Sequence, residues 1–137
     1  MCRLFKLNGE SVEHILIACD RHKFCLYKAR HDKAMLPVVS ALCLQAGLPV
    51  LKVRKRPPAV LENNKVNILW DPVIVTTVNM TARRPDMIVF VKDTKTIVVV
   101  ERTCCWGARM EAFIEKWRKY HPLMADLKIQ FPTWKVK

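Results

Sequence analysis

The stretch 83–103, RRPDMIVFVKDTKTIVVVERT, constrains this chain more than any other. It holds two short, β-branched apolar runs, Met87–Val91 and Thr96–Val100, separated by Lys92-Asp93-Thr94-Lys95. Runs of that length and composition read as buried strands, and the polar patch reads as a tight turn. A turn symmetric about Asp93-Thr94 sets Val91 opposite Thr96, and counting outward sets Asp86 opposite Glu101. Residues directly opposite in an antiparallel pair have Cβ atoms about 4.5–5.5 Å apart. Two carboxylates that close repel unless positive charge lies between them. A divalent cation, Mg²⁺ or Mn²⁺, with hard oxygen ligands resolves the conflict, so the open end of the hairpin is a candidate metal site. The plainer alternatives are a turn role for Asp86 after Pro85 and an ion pair of Glu101 with Arg102 or Arg84.

A hairpin needs a sheet and a layer to bury it. The chain has 137 residues, about half of them hydrophobic, which is enough for one core. No run approaches the roughly 18 apolar residues of a membrane helix, and Met1-Cys2-Arg3 opens no signal peptide. These features predict an intracellular protein without a membrane partner. The six cysteines form no C-x-x-C pair, so they read as small buried hydrophobes or, in part, metal ligands. The formal net charge of +12 favours a polyanionic partner, nucleic acid first (DNA, then RNA) and an acidic membrane surface second; the plainer reading is a solubilising surface.

Residues 1–30 are rich in Cys, His, Lys and Arg and weakly periodic. Cys2, His14 and Cys19 have the order and spacing of zinc ligands, but a structural site needs four. The expected fourth position is Phe5, and neither His22 nor Cys25 replaces it by spacing, so zinc binding is doubtful. A helical pattern spans 32–46, with Met35, Leu36, Val39, Leu42 and Cys43 on one face and Gly47 as the stop. Pro37 fits if that helix starts near Leu36. Residue 31 reads as part of the helix start and not as a catalytic base. Residues 48–60 read as a connector. Within it Lys52, Arg54, Lys55 and Arg56 form a basic run, a nucleic-acid contact or a nuclear localisation signal, or else a solvated loop. Val66–Trp70 reads as a strand, and 73–78 as a second strand or an extended crossing. A helix over 108–121 carries Met110, Phe113, Ile114, Trp117 and His121 as an apolar stripe, with Pro122 at its end. The tail 129–136 suits an edge strand.

The expected fold class is α/β, a small mixed β-sheet with flanking helices. Three parts are expected: a degenerate zinc-knuckle segment at 1–30, a helix and basic linker at 31–60, and the sheet domain at 61–137. In that domain Asp86 and Glu101 are the candidate metal ligands. Arg83, Arg84 and Lys116 are candidate phosphate holders, and Trp106 and Tyr120 are candidates for base or sugar contacts.

Several collinear segments together resemble a known family. They are Cys2 with His14-x-x-x-x-Cys19, Arg30-His31-Asp32, VNILWD at 66–71, Arg84-Pro85-Asp86, Glu101, Trp106 and Lys119-Tyr120. The pattern is similar to the zinc knuckle and restriction-like PD-(D/E)xK endonuclease at the C-terminus of non-LTR retrotransposon reverse transcriptases. The resemblance covers nearly the whole chain. It implies a restriction-endonuclease-like fold that nicks target DNA, so that the freed 3′ end primes reverse transcription. It assigns metal binding to Asp86 and Glu101. It also implies that the motif lysine, absent at Thr103, comes from the following helix. The family's Lys-Tyr pair points to Lys119, slightly ahead, and the helical wheel points to Lys116. Phe5 at the second knuckle position and Cys104-Cys105 before Trp106 depart from the pattern. No reverse transcriptase precedes the domain in this sequence. The expectation is therefore a fragment of a degenerate element, either an endonuclease domain or a non-catalytic basic nucleic-acid-binding module of the same fold.

Overall fold

The computed structural model describes residues 11, 12, 14, 28–50, 56–103, 107 and 109–137. Five strands form one sheet in the order β1 (Val60–Glu62), β2 (Val66–Trp70), β3 (Met87–Val91), β4 (Thr96–Val100) and β5 (Lys135–Val136). The first four pair antiparallel with their sequence neighbours, and β5 pairs parallel with β4. Helix α1 (Lys28–Ala46) precedes the sheet, and helix α2 (Arg109–Gln130) joins β4 to β5. The class is therefore the expected small α/β fold with a mixed sheet. Among the described residues, no helix is long and apolar enough to cross a membrane.

The period of two along each strand divides the core into two layers. Met87 and Val89 face α1, where Met35, Val39, Cys43 and Ala46 meet them together with Val66, Ile68 and Trp70. Ile88 lies on the opposite face with Ile97, and Tyr120, Leu123 and Leu127 of α2 cover that side. Strand β3 is thus apolar on both faces because it is sandwiched, which explains its unbroken run. Cys43 is a buried free thiol that packs like a small hydrophobe, and burial pushes its pKa up.

The central hairpin has the expected register. Val91 pairs with Thr96, and the pairing runs out to Met87 and Val100. Lys95 closes the turn with φ 46°, and its N–H donates to the Lys92 carbonyl at 3.3 Å. The expected edge strand in the tail is β5. The sequence pattern predicts β2 but not its partner β1, of which only Val60 falls in the expected connector 48–60. Asn63 organises its turn: its Oδ1 accepts from the N–H groups of Lys65 and Val66, each at 2.9 Å, and its Nδ2 donates to the Ala46 carbonyl at the end of α1.

Both helices correct the sequence reading at a proline. Helix α1 begins at Lys28, so Pro37 is interior and not in the first turn. Helix α2 continues through Pro122 to Gln130. Each proline removes one N–H from the helical ladder, a loss that usually ends or kinks a helix. Both side chains are exposed, leaving room for water at the freed carbonyls, while the buried flanks hold each helix to the sheet. The C-terminus of α1 is where Gly47 predicts it. Gly47 has φ 71°, and the N–H groups of Gly47 and Leu48 donate to the carbonyls of Leu44 and Cys43, the bonding of a Schellman cap.

The expected apolar stripe of α2 is not the buried face. Met110, Phe113, Ile114 and Trp117 are 66, 62, 39 and 53% exposed, while Tyr120, Leu123, Asp126 and Leu127 are buried. Periodicity marked a real stripe but the wrong side of the helix. The sheet takes a face about a third of a turn away, which includes a polar anchor. Asp126 accepts from the N–H and hydroxyl of Thr77, and Gln130 donates to Asp126 and to the Val75 carbonyl. These bonds fasten the connection between β2 and β3 onto α2. Residues 73–78 accordingly form no strand.

Candidate active site at the open end of the hairpin

The site lies where β3 begins and β4 ends. Asp86 directly precedes β3 and Glu101 directly follows β4, so the register that pairs Met87 with Val100 sets the two acids opposite each other. The main-chain N–H of Asp86 donates to Glu101 Oε2 at 3.1 Å. The N–H of Arg102 donates to Asp86 Oδ2 at 2.7 Å. The hairpin ladder therefore continues past the strand ends through side-chain carboxylates.

Each helix contributes one base. From the first turn of α1, His31 places Nε2 3.0 Å from Asp86 Oδ2 and 3.2 Å from the Arg102 carbonyl oxygen. Both neighbours are acceptors, so Nε2 carries the proton shared between them. From α2, the Lys116 ammonium donates to Glu101 Oε1. Arg102 ties this end of the sheet to α1 by donating from Nη1 to the Ala34 carbonyl. Tyr120 is buried, and its hydroxyl donates to the Arg84 carbonyl at 3.0 Å. It supports the site from beneath and is not placed for the base or sugar contact considered above. Burial and the charge of Glu101 push the Tyr120 hydroxyl pKa up, so it stays neutral.

Charge and burial act unequally on the acids. Burial pushes Asp86 above its ordinary pKa, and the charge of Glu101 adds to the shift. The Arg102 N–H, His31 and Lys116 oppose it. Asp71 is shifted the other way. Arg84 grips it with two bonds of 2.7 and 2.8 Å, Arg56 reaches it at 3.1 Å and Lys28 at 3.9 Å. The Arg84 hydrogen bond is the main cause that holds the Asp71 carboxyl below the usual range. One acid thus gathers three basic side chains, and the N–H of Asp71 donates to the Asp86 carbonyl at 2.8 Å, placing the cluster beside the candidate site.

The structure brings together Asp86, Glu101 and Lys116, and adds His31. The sequence pattern reads His31 as part of a helix start. It does lie in the first turn of α1, and the sheet end packs against that turn. The Arg30-His31-Asp32 segment was the one signal that singled it out. Lys119, slightly ahead of Lys116 by the resemblance, lies over Tyr120. Its Nζ lies 4.9 Å from the centroid of the Tyr120 ring. Arg83 is exposed; Arg84 and Arg56 are exposed but held by Asp71. Lys52, Arg54, Lys55, Cys2, Cys19, Cys104, Cys105 and Trp106 lie outside the described residues. Of the knuckle ligands only His14 is described: it is buried, and its N–H donates to Ser11 Oγ at 3.0 Å.

Among the described residues, no group of three or more His, Cys, Asp and Glu side chains is arranged to hold a metal ion. A zinc site of protein ligands alone is therefore not built from them. A site for Mg²⁺ or Mn²⁺ asks less of the protein, because such ions keep several waters and take one or two carboxylates plus substrate phosphate. Asp86 and Glu101 fit that requirement in donor chemistry. The described donors to Asp86 converge on its Oδ2. No family model, curated protein or solved structure matches the chain.

Proposed function

We propose that the chain is a metal-dependent DNA endonuclease domain of the restriction-like, PD-(D/E)xK kind, derived from a non-LTR retrotransposon, that nicks target DNA for primed reverse transcription. The observation that carries the reading is the meeting of Asp86, Glu101 and Lys116 at the open end of the hairpin, with the lysine supplied by the following helix. Asp86 and Glu101 would hold one Mg²⁺ or Mn²⁺. When bound, that ion lowers the pKa of a water and offsets charge that builds on the scissile phosphate.

The protein groups divide the remaining work. His31 would steady the Asp86 carboxylate through Oδ2. Lys116 orients the attacking water or steadies the developing negative charge once substrate draws its ammonium from Glu101. Arg83 and Arg84 hold flanking phosphates, Arg84 pre-aimed by Asp71. The water oxygen bonds to phosphorus and gives up a proton, the bond to the 3′ oxygen breaks, and a proton passes to that oxygen. The products are a 5′-phosphate and a 3′-hydroxyl able to prime synthesis.

One observation favours the second reading, a non-catalytic basic nucleic-acid-binding module. Main-chain N–H groups and basic side chains already satisfy much of both carboxylates, as a purely structural clasp would require. Nicking of supercoiled plasmid in Mg²⁺ or Mn²⁺, lost in Asp86→Ala and in Glu101→Ala, supports the endonuclease. DNA binding that weakens steeply with salt, without any nicking, selects the binding module. DNA binding absent at low salt overturns both.

A further inference from the structure

We propose that the exposed stripe of α2 is a binding face for a single-stranded nucleic acid segment, with unpaired bases stacked on Phe113 and Trp117. These aromatic rings stand one turn apart, about 6 Å along the axis, on a face that no other described element covers. Trp117 also sits beside the His121 ring, with centroids 4.9 Å apart, which extends the platform along the helix.

A groove of about 390 Å³ runs beside the stripe, lined in part by Glu101, Phe113, Lys116, Trp117 and Lys137. Two of these residues, Glu101 and Lys116, belong to the candidate active site. Charge decides what this face suits. The groove side carries Lys116, whose charge Glu101 offsets, and Lys137, and the helical wheel puts Arg109 on the same flank. On the opposite flank Glu111 and Glu115 accompany Arg118, so the positive edge is the groove edge. A strand with its phosphates along that edge would have its bases over the rings. Exposed ring faces bind unpaired bases, whereas a duplex keeps its base faces stacked inside. A second copy of the chain is a poorer occupant, because it would bring two surfaces of net charge +12 together. The proposal rests on the nuclease reading only for what lies at the inner end of the groove.

The test is fluorescence anisotropy without divalent cation, using a short labelled oligodeoxythymidylate, an abasic strand of the same length and a duplex of that length. The wild-type chain is expected to bind the thymidylate about tenfold or more tighter than the abasic strand, which has the same charge but no bases. Phe113→Ala and Trp117→Ala are each expected to weaken thymidylate binding about tenfold, with duplex binding changed less than about twofold. Trp117→Phe is expected to retain most of the affinity. Equal binding of the thymidylate and abasic strands by the wild-type chain overturns the proposal. So does unchanged thymidylate binding in the Phe113→Ala, Trp117→Ala double variant, or a wild-type dimer that this variant dissociates without strand binding. Because no metal is present, loss of nicking with this binding intact sinks only the nuclease reading, and the reverse result sinks only the stacking face.

Discussion

The Asp86 N–H donates to the carboxylate of Glu101, and the residue after Glu101 donates its N–H to the carboxylate of Asp86. The two acids close the hairpin by crossing over each other's main chain. Their repulsion is relieved locally by N–H dipoles, by Lys116 and by His31, yet burial still leaves Asp86 reluctant to ionise. A group held against its own preference is more often found where function requires it than where stability does.

Asp86→Asn and Glu101→Gln keep the shape and remove the charge. Each is expected to lower plasmid nicking by about a hundredfold or more. Asp86→Asn is also expected to leave the thermal midpoint unchanged or raised, because it removes a charge that burial and Glu101 both oppose. Circular dichroism melts beside nicking rates test both outcomes. A large loss of stability in Asp86→Asn would assign the residue to the structural clasp.

The raised Asp86 pKa has a definite sign in pH dependence. A carboxyl whose folded pKa exceeds the unfolded value of about 3.9 favours folding fully below that value, and the contribution is lost as pH rises through the folded pKa. Wild type should therefore lose stability relative to Asp86→Asn across that window. Nicking by the ionised form should fall as pH drops through the same raised pKa. Asp71, held low by Arg84, works oppositely: its stabilisation is present above the unfolded pKa and lost as pH falls through the folded one. Denaturant melts at several pH values for wild type and Asp86→Asn isolate the Asp86 contribution.

Lys116 and Lys119 make a clean comparison, one residue at Glu101 and the other over Tyr120. Lys116→Ala is expected to slow nicking about 10- to 1,000-fold, and Lys119→Ala to leave it within about twofold. Single-turnover rates at saturating protein separate this from weakened DNA binding. The reverse ranking would restore Lys119 as the motif lysine.

The two sides of α2 should differ in stability. Leu123 is fully buried, so Leu123→Ala is expected to cost about 2–5 kcal/mol. Met110 lies on the exposed stripe, and Met110→Ala is expected to stay within about 0.5 kcal/mol of wild type. Urea denaturation measures both, and comparable losses would mean that the stripe is covered.

The central hairpin was legible because two β-branched runs and a four-residue turn allow only one symmetric register, and that register carried Asp86 to Glu101. Strand β2 and the stop of α1 were legible for equally local reasons. The ends of both helices were not. Pro37 and Pro122 argue locally for boundaries, and tertiary burial on the far flanks outweighs them. The stripe of α2 was misread because periodicity reports an apolar face without saying which layer meets it. His31 was missed as a site residue because its role depends on Asp86 and Arg102, far away in sequence, packing against the first turn of α1.

If Asp86 and Glu101 share one divalent ion, protein added to Mn²⁺ should remove the paramagnetic resonance signal of the free ion. One site is expected on the wild-type chain, and none on the Asp86→Asn, Glu101→Gln double variant with its fold intact by circular dichroism. Wild-type protein that leaves the signal unchanged at millimolar Mn²⁺, or a double variant that binds Mn²⁺ as wild type does, would contradict the shared site.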